Sequence, residues 1–158
     1  MNKIILGIDP GYDRCGVAVI STRPTITLLY SDCLTTNPKA VFSNRLASLG
    51  SSLDKIIKEY KPSDIVLEKL FFSKNQKTAS RVAEVRGVIL YLAGIHHLTT
   101  TEYAPSEIKL TITGFGGANK QQITAIVPKL IKIIKLPRHD DEYDAIAVAL
   151  THQAHSPN

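Results

Sequence analysis

Residues 4 to 9 read Ile-Ile-Leu-Gly-Ile-Asp, an apolar run that stops on an acid. A short run that is apolar at successive positions belongs to a strand buried on both faces, at the centre of a sheet covered by helices. Pro10-Gly11 breaks the run, and Gly16 to Ser21 supplies the second arm of a hairpin. Thr25 to Thr35, rich in Thr, Leu, Ile and Tyr, is a third strand, punctuated by Asn37-Pro38.

Helices and strands then alternate. Leu46, Leu49, Leu53, Ile56 and Ile57 recur at helical spacing and predict a helix from about Ser43 to Tyr60. Ile65-Val66-Leu67 is a short buried strand that ends at Glu68. Val82, Val85, Ile89 and Leu92 predict a helix over Thr78 to Ile95, followed by a fifth strand over Thr99 to Tyr103. Ser106, after Pro105, is expected to cap a short helix reaching Ile112. Lys120 to Ile134 is helical in pattern, with Pro128 expected to kink or delay it. The last helix runs from about Asp141 to His152. The expectation is an α/β fold, a five-stranded mixed sheet flanked by helices.

The chain has 158 residues, the size of one domain spanning 1–158. A composition of 44% hydrophobic and 21% charged residues is globular and argues against disorder. Cys15 and Cys33 are too few for a disulfide framework and match no zinc spacing, so a reducing, cytoplasmic compartment is expected. Val88 to Ile95 is far too short to span a membrane, and Ile4 to Ile8 is too short for a signal segment.

The net charge of +5 suggests a polyanionic partner, and its distribution says more. From Lys69 to Arg86 five cations accompany one acid, Glu84. From Lys109 to Arg138 six cations accompany none, and Asp140-Asp141-Glu142 with Asp144 follow at once. Basic helix faces are common, but two basic segments flanking acids suit a nuclease, in which lysines hold phosphates and carboxylates hold metal.

Asp9 and Glu68 each terminate an apolar strand, where an ionised group is costly. Either one alone is as readily a cap, a turn former or an ion-pair partner. Asp141 and Asp144 lie three apart at a helix start, so both project to one face of its first turn, although a helix N-terminus favours acids in any case. Together the four form an all-oxygen set suited to Mg²⁺ or Mn²⁺ and not to zinc. With the adjoining lysines they suggest two-metal phosphoryl transfer.

The chain resembles RuvC-type Holliday-junction endonucleases of the RNase H-like (retroviral integrase) superfamily. The resemblance is carried by Ile5-Leu-Gly-Ile-Asp-Pro-Gly11, Leu67-Glu-Lys-Leu-Phe-Phe-Ser-Lys-Asn75, Arg86-Gly87-Val88, Glu102-Tyr-Ala-Pro105, Ala118-Asn-Lys120 and Asp144-Ala-Ile-Ala-Val-Ala-Leu-Thr-His152. These stretches occur in family order from about residue 4 to residue 152. It implies an RNase H-like fold and a four-acid site at Asp9, Glu68, Asp141 and Asp144, holding two Mg²⁺ per subunit with Mn²⁺ as an alternative. It further implies a homodimer that nicks two strands of like polarity in a four-way DNA junction, working with the RuvA and RuvB branch-migration proteins.

Phe71 falls where the family places an aromatic against junction bases, and Lys109 and Lys120 fall where it places lysines near phosphate and the catalytic region. Lys69, Lys74 and Lys77 extend the expected DNA-binding set. Lys69 stands where Gln is common in the family, and Glu142-Tyr143 stands where small residues are usual, so Asp140 and Glu142 are alternative ligands.

Several features keep two readings. Gly114-Phe-Gly-Gly117 is a phosphate loop or a plain turn, and lacks the Gly-Lys-Ser/Thr ending of a P-loop. Gly87 within a helix suggests close packing, with a dimer contact as one cause. His139 is a water-activating group or a solvated loop residue. Asp9-Pro-Gly11 with Gly16 also fits the first phosphate loop of actin-like and sugar-kinase ATPases, but those enclose nucleotide between two such domains and leave the other three acids unexplained. A non-catalytic junction-binding module would not need four acids. The YqgF-like branch of the superfamily shares the first strand and lacks the Phe-Phe-Ser-Lys-Asn stretch.

Overall fold

The computed structural model describes residues 2–70 and 76–156. Its strands are β1 (Ile4–Asp9), β2 (Arg14–Ser21), β3 (Thr27–Thr35), β4 (Asp64–Glu68), β5 (Thr99–Tyr103) and β6 (Lys132–Ile133). Its helices are α1 (Phe42–Tyr60), α2 (Gln76–Ile95), α3 (Pro105–Thr113), α4 (Lys120–Leu130) and α5 (Asp140–His155). The sheet runs β5-β4-β1-β2-β3-β6. The β1–β2 and β2–β3 pairs are antiparallel, whereas β1–β4, β4–β5 and β3–β6 are parallel.

Strand periodicity divides the central strand between two cores. Ile5 joins Ala18, Ile20, Val66 and the apolar stripe of α5 on one face, with α3 and α4 packed outside it. Leu6 and Ile8 join Val17, Val19, Leu67 and the inner faces of α1 and α2 on the other. Ile5, Leu6 and Ile8 are at most 1% exposed, and burial of such a side chain contributes roughly 1.5–3 kcal/mol.

Two glycines set how closely α5 approaches. A Cβ on Gly7 would lie 2.3 Å from the Ala145 carbonyl oxygen, and one on Gly16 would lie 2.0 Å from that of Asp141. No side chain fits at either position, so the first turns of α5 lie directly on the β1–β2 pair.

Among the described residues the sheet has six strands where the sequence pattern predicts five, because the expected helix over Lys120 to Ile134 ends at Leu130. Pro128 removes one helical donor and crowds the preceding turn. The β-branched run that follows is better suited to a strand, and Lys132 and Ile133 pair with Thr27 and Leu28 on the free edge of β3. Ser106 is not a cap: α3 starts at Pro105, Ala104 is its N-cap, and the Glu107 carboxylate accepts the Ala104 N–H at 2.6 Å. Gly114 ends α3 in the left-handed region at φ 76°, donating its N–H to the Leu110 carbonyl, so this glycine serves as a helix terminator. Gly87 is exposed with open space around the site of a Cβ, so no packing among the described residues demands it. No helix among the described residues is long and apolar enough to cross a membrane.

Gly16→Ala is expected to push α5 off the sheet and lower stability by roughly 1–3 kcal/mol or more, as overpacking does. Gly87→Ala is expected to be neutral or stabilising, since it meets nothing and improves helix propensity by up to about 1 kcal/mol. Thermal unfolding of the two variants checks both signs.

Candidate active site

Asp9 and Glu68 are the last residues of β1 and β4, which run parallel and adjacent in the sheet, so both carboxylates emerge at the same end. Asp141 and Asp144 reach that end from the first turns of α5, which the glycine contacts hold against β1 and β2. Lys120 enters from the start of α4. There Asn119 and Gln122 cap the helix reciprocally, each side chain accepting the other's backbone N–H at 2.9 Å.

The electrostatics are those of crowded like charges. Burial is the main force raising the Asp9 carboxyl from 3.8 to about 7, and the neighbouring Asp144, Glu68 and Asp141 add to it, while Lys120 opposes. Glu68 is likewise pushed upward, chiefly by burial and then by Asp144, with Lys109 and Lys120 opposing. Lys120 Nζ lies 3.0 Å from Asp144 Oδ2, and Arg14 lies 2.6 Å from Asp141 Oδ2. The Cys33 thiol also donates to Asp141 Oδ2, at 3.5 Å. Among the described residues no three acid, His or Cys groups converge closely enough to hold one ion as they stand. Asp141 and Asp144 are instead turned onto side-chain cations.

A hollow of about 240 Å³ opens beside the acids, with Glu68, Asp144, Lys109 and Lys120 on its polar side and Ile108 and Ile123 on its apolar side. A second hollow adjoins it, bordered by Asp9, Glu68, Lys69 and Arg86. Lys69 and Lys77 are exposed, and Lys109 is half-buried. Phe71 and Lys74 lie outside the described residues.

Asp140 and His139 are exposed, and the His139 side chain caps nothing. Glu142 is buried and fully engaged: Oε1 accepts the N–H groups of Arg138 and His139, and Oε2 accepts the Ser31 hydroxyl. Each of its oxygens thus has a protein donor, one set from the segment before α5 and one from β3.

Sequence reasoning misses several groups that hold the site. Arg14 reaches Asp141 only because the hairpin register sets Asp9 opposite Gly16. Arg86, only 8% exposed, donates to the Glu68 carbonyl at 2.7 Å and pairs with Glu102 on β5. It thereby ties the end of β4 to its neighbour. Arg45, also buried, donates to the Tyr12 carbonyl at 3.0 Å and pairs with Asp13, fixing the turn after Asp9. Each joins residues far apart in the chain, so local pattern carries no signal for them.

The mixed sheet of this order, flanked by helices, is the fold of the RNase H-like resolvases. The family model for crossover junction endodeoxyribonuclease RuvC matches residues 5–152. The RuvC of Brachyspira hyodysenteriae is 41% identical, over 94% of this chain and 92% of its own. That of Moorella thermoacetica is 39% identical, over 98% and 93%. The structure of Thermus thermophilus RuvC in complex with Holliday junction substrate superposes with a TM-score of 0.88 at 25% identity, covering 95% of this chain and 92% of that one. The chain belongs to the RuvC family of crossover junction endodeoxyribonucleases.

The folded state retains a proton on Asp9 up to about pH 7, whereas the unfolded chain releases it near 3.8. This contribution to stability is full below pH 3.8 and is lost as pH rises through 7. Asp9→Asn is therefore expected to stabilise the metal-free protein at pH 8, by roughly 1–3 kcal/mol, and to change little at pH 4. Urea unfolding at the two pH values checks it.

Proposed function

We propose that this chain resolves four-way DNA junctions by symmetric paired nicks in strands of like polarity, each leaving a 5′-phosphate and a 3′-hydroxyl. The observation that carries the proposal is the convergence of Asp9, Glu68, Asp141 and Asp144 from β1, β4 and α5 on one sheet end beside Lys109 and Lys120. The Thermus relative of the same fold, solved with a Holliday junction substrate, supports the substrate class.

The donor set fits divalent metal. It is all oxygen, and burial with mutual repulsion leaves Asp9 holding a proton near neutrality, the mark of a site short of positive charge. Asp9, Glu68, Asp141 and Asp144 would hold two Mg²⁺, or Mn²⁺ in its place. When bound, the ions supply Lewis-acid activation of water and charge neutralisation at the phosphate.

The chain's own cations do the rest. Lys120 and Arg14, now paired to Asp144 and Asp141, are placed to exchange a carboxylate for a DNA phosphate as the site fills. Lys109 neutralises phosphate from the wall of the hollow. Lys69, Lys74 and Lys77 carry the backbone of the DNA arms, and Phe71 stacks on a junction base. Two such subunits in a cytoplasmic homodimer account for paired nicks, with RuvA and RuvB as branch-migration partners.

Incubation with a synthetic four-way junction and Mg²⁺ is expected to give symmetric nicks, lost in Asp9→Asn and Glu68→Gln while junction binding persists. Binding without cleavage in either Mg²⁺ or Mn²⁺ would overturn the proposal. Lys120→Glu is expected to weaken binding to all junction sequences and to reduce the slope of log affinity against log salt by about 1 or more. Gel-shift titrations at several salt concentrations measure it.

A further inference from the structure

The contacts of Gly7 with Ala145 and Ala149 and of Gly16 with Asp141 set how closely α5 lies on the sheet and which side of it faces inward, and a side chain of the first turn adds a further tie. Glu142, between Asp141 and Asp144 in sequence, is only 4% exposed. A buried carboxylate is costly unless its oxygens are satisfied. Among the described residues no ion pair involves Glu142. Its compensation comes from three donors and the positive end of the helix dipole.

Those donors come from two directions. The Arg138 and His139 N–H groups reach Oε1 at 2.9 and 3.1 Å from the segment that leads into α5. The Ser31 hydroxyl reaches Oε2 at 2.5 Å from β3, 111 residues away in sequence. Glu142 is thus a bolt from the first turn of α5 to the sheet. Its place on the helix is rotated from Asp141 by one residue and from Asp144 by two, so fixing it fixes the direction of both.

We propose that Glu142 is a positioning residue: it pins the α5 first turn to β3, and through it steadies the presentation of Asp141 and Asp144 to divalent metal. The inference rests on the reading of the four acids as the metal-holding set. Glu142 itself touches neither metal nor DNA in this scheme.

The test compares Glu142→Ala, Glu142→Gln and Ser31→Ala. Glutamine keeps the shape: its amide oxygen accepts the two N–H groups, and its amide nitrogen donates to the Ser31 hydroxyl oxygen. Mn²⁺ binding is measured by calorimetry without DNA, and the Mg²⁺ dependence of junction cleavage is measured separately. Outer-shell partners of metal ligands typically change affinity or activity 10–100-fold. Glu142→Ala is expected to weaken Mn²⁺ binding and raise the half-saturating Mg²⁺ by about 10-fold or more, with junction affinity in EDTA unchanged. Glu142→Gln should stay near wild type, and Ser31→Ala should shift both quantities the same way by less. If Glu142→Ala does not fold, Ser31→Ala and Glu142→Gln decide.

Wild-type Mn²⁺ affinity in a folded Glu142→Ala, or in Ser31→Ala where the alanine variant does not fold, would overturn the proposal. So would a Glu142→Gln as impaired as the alanine variant, which would make Glu142 a ligand or a needed charge. If wild-type protein neither binds Mn²⁺ nor cuts junctions, the four-acid reading has failed and takes this inference with it. Normal wild-type behaviour with unaffected variants fails this inference alone.

Discussion

The close seating of α5 on the β1–β2 hairpin is the constraint on which the rest of the molecule depends. Backbone meets backbone there, because Gly7 and Gly16 leave room for the carbonyls of Ala145 and Asp141 and for nothing larger. The small residues Ala145, Ala147 and Ala149 on α5 continue the same economy of space. Close packing of this kind has little slack, so the helix cannot drift outward by even a methyl group without losing its fit. The acids at its start inherit that rigidity.

Around this contact the protein trades stability for charge. Four carboxylates at one sheet end repel each other, and a well-filled two-sided core tolerates them. Local cations answer part of the excess. Lys120 and Arg14 sit on Asp144 and Asp141, while Arg86 and Arg45 brace the backbone behind Glu68 and Asp9. The two pairs differ in kind. Arg86 and Arg45 are buried and committed to carbonyl oxygens and a carboxylate each, so they act as struts. Lys120 and Arg14 are exposed, and exposed ion pairs are worth little, so they can change partners at small cost.

The net charge conceals this division of labour. A basic excess carried by the segments Lys69 to Arg86 and Lys109 to Arg138 sits beside acids delivered by β1, β4 and α5. The lysines would matter to DNA affinity and its salt dependence, the acids to chemistry, and the sheet end is where the two sets meet.

Much of the fold is legible in sequence because burial writes a periodic signal. The run Ile4–Ile8 announces a central strand, and the leucine and isoleucine stripe from Leu46 to Ile57 announces α1. Strand-terminal Asp9 and Glu68 and the paired Asp141 and Asp144 stand out because acids are costly beside apolar runs. The segment after Pro128 is not legible, since Ile131 to Ile134 suits helix or strand and only the free edge of β3 chooses. Nor is the role of Glu142, which in sequence is one acid among four and in space is a buried strut to Ser31. Element type, the sheet's core strand and the identity of the acids follow from local chemistry, which the chain carries at short range. Register, helix rotation and the partners of Arg14, Arg86 and Glu142 depend on residues tens of positions apart. No local preference encodes those meetings, so tertiary structure alone decides them.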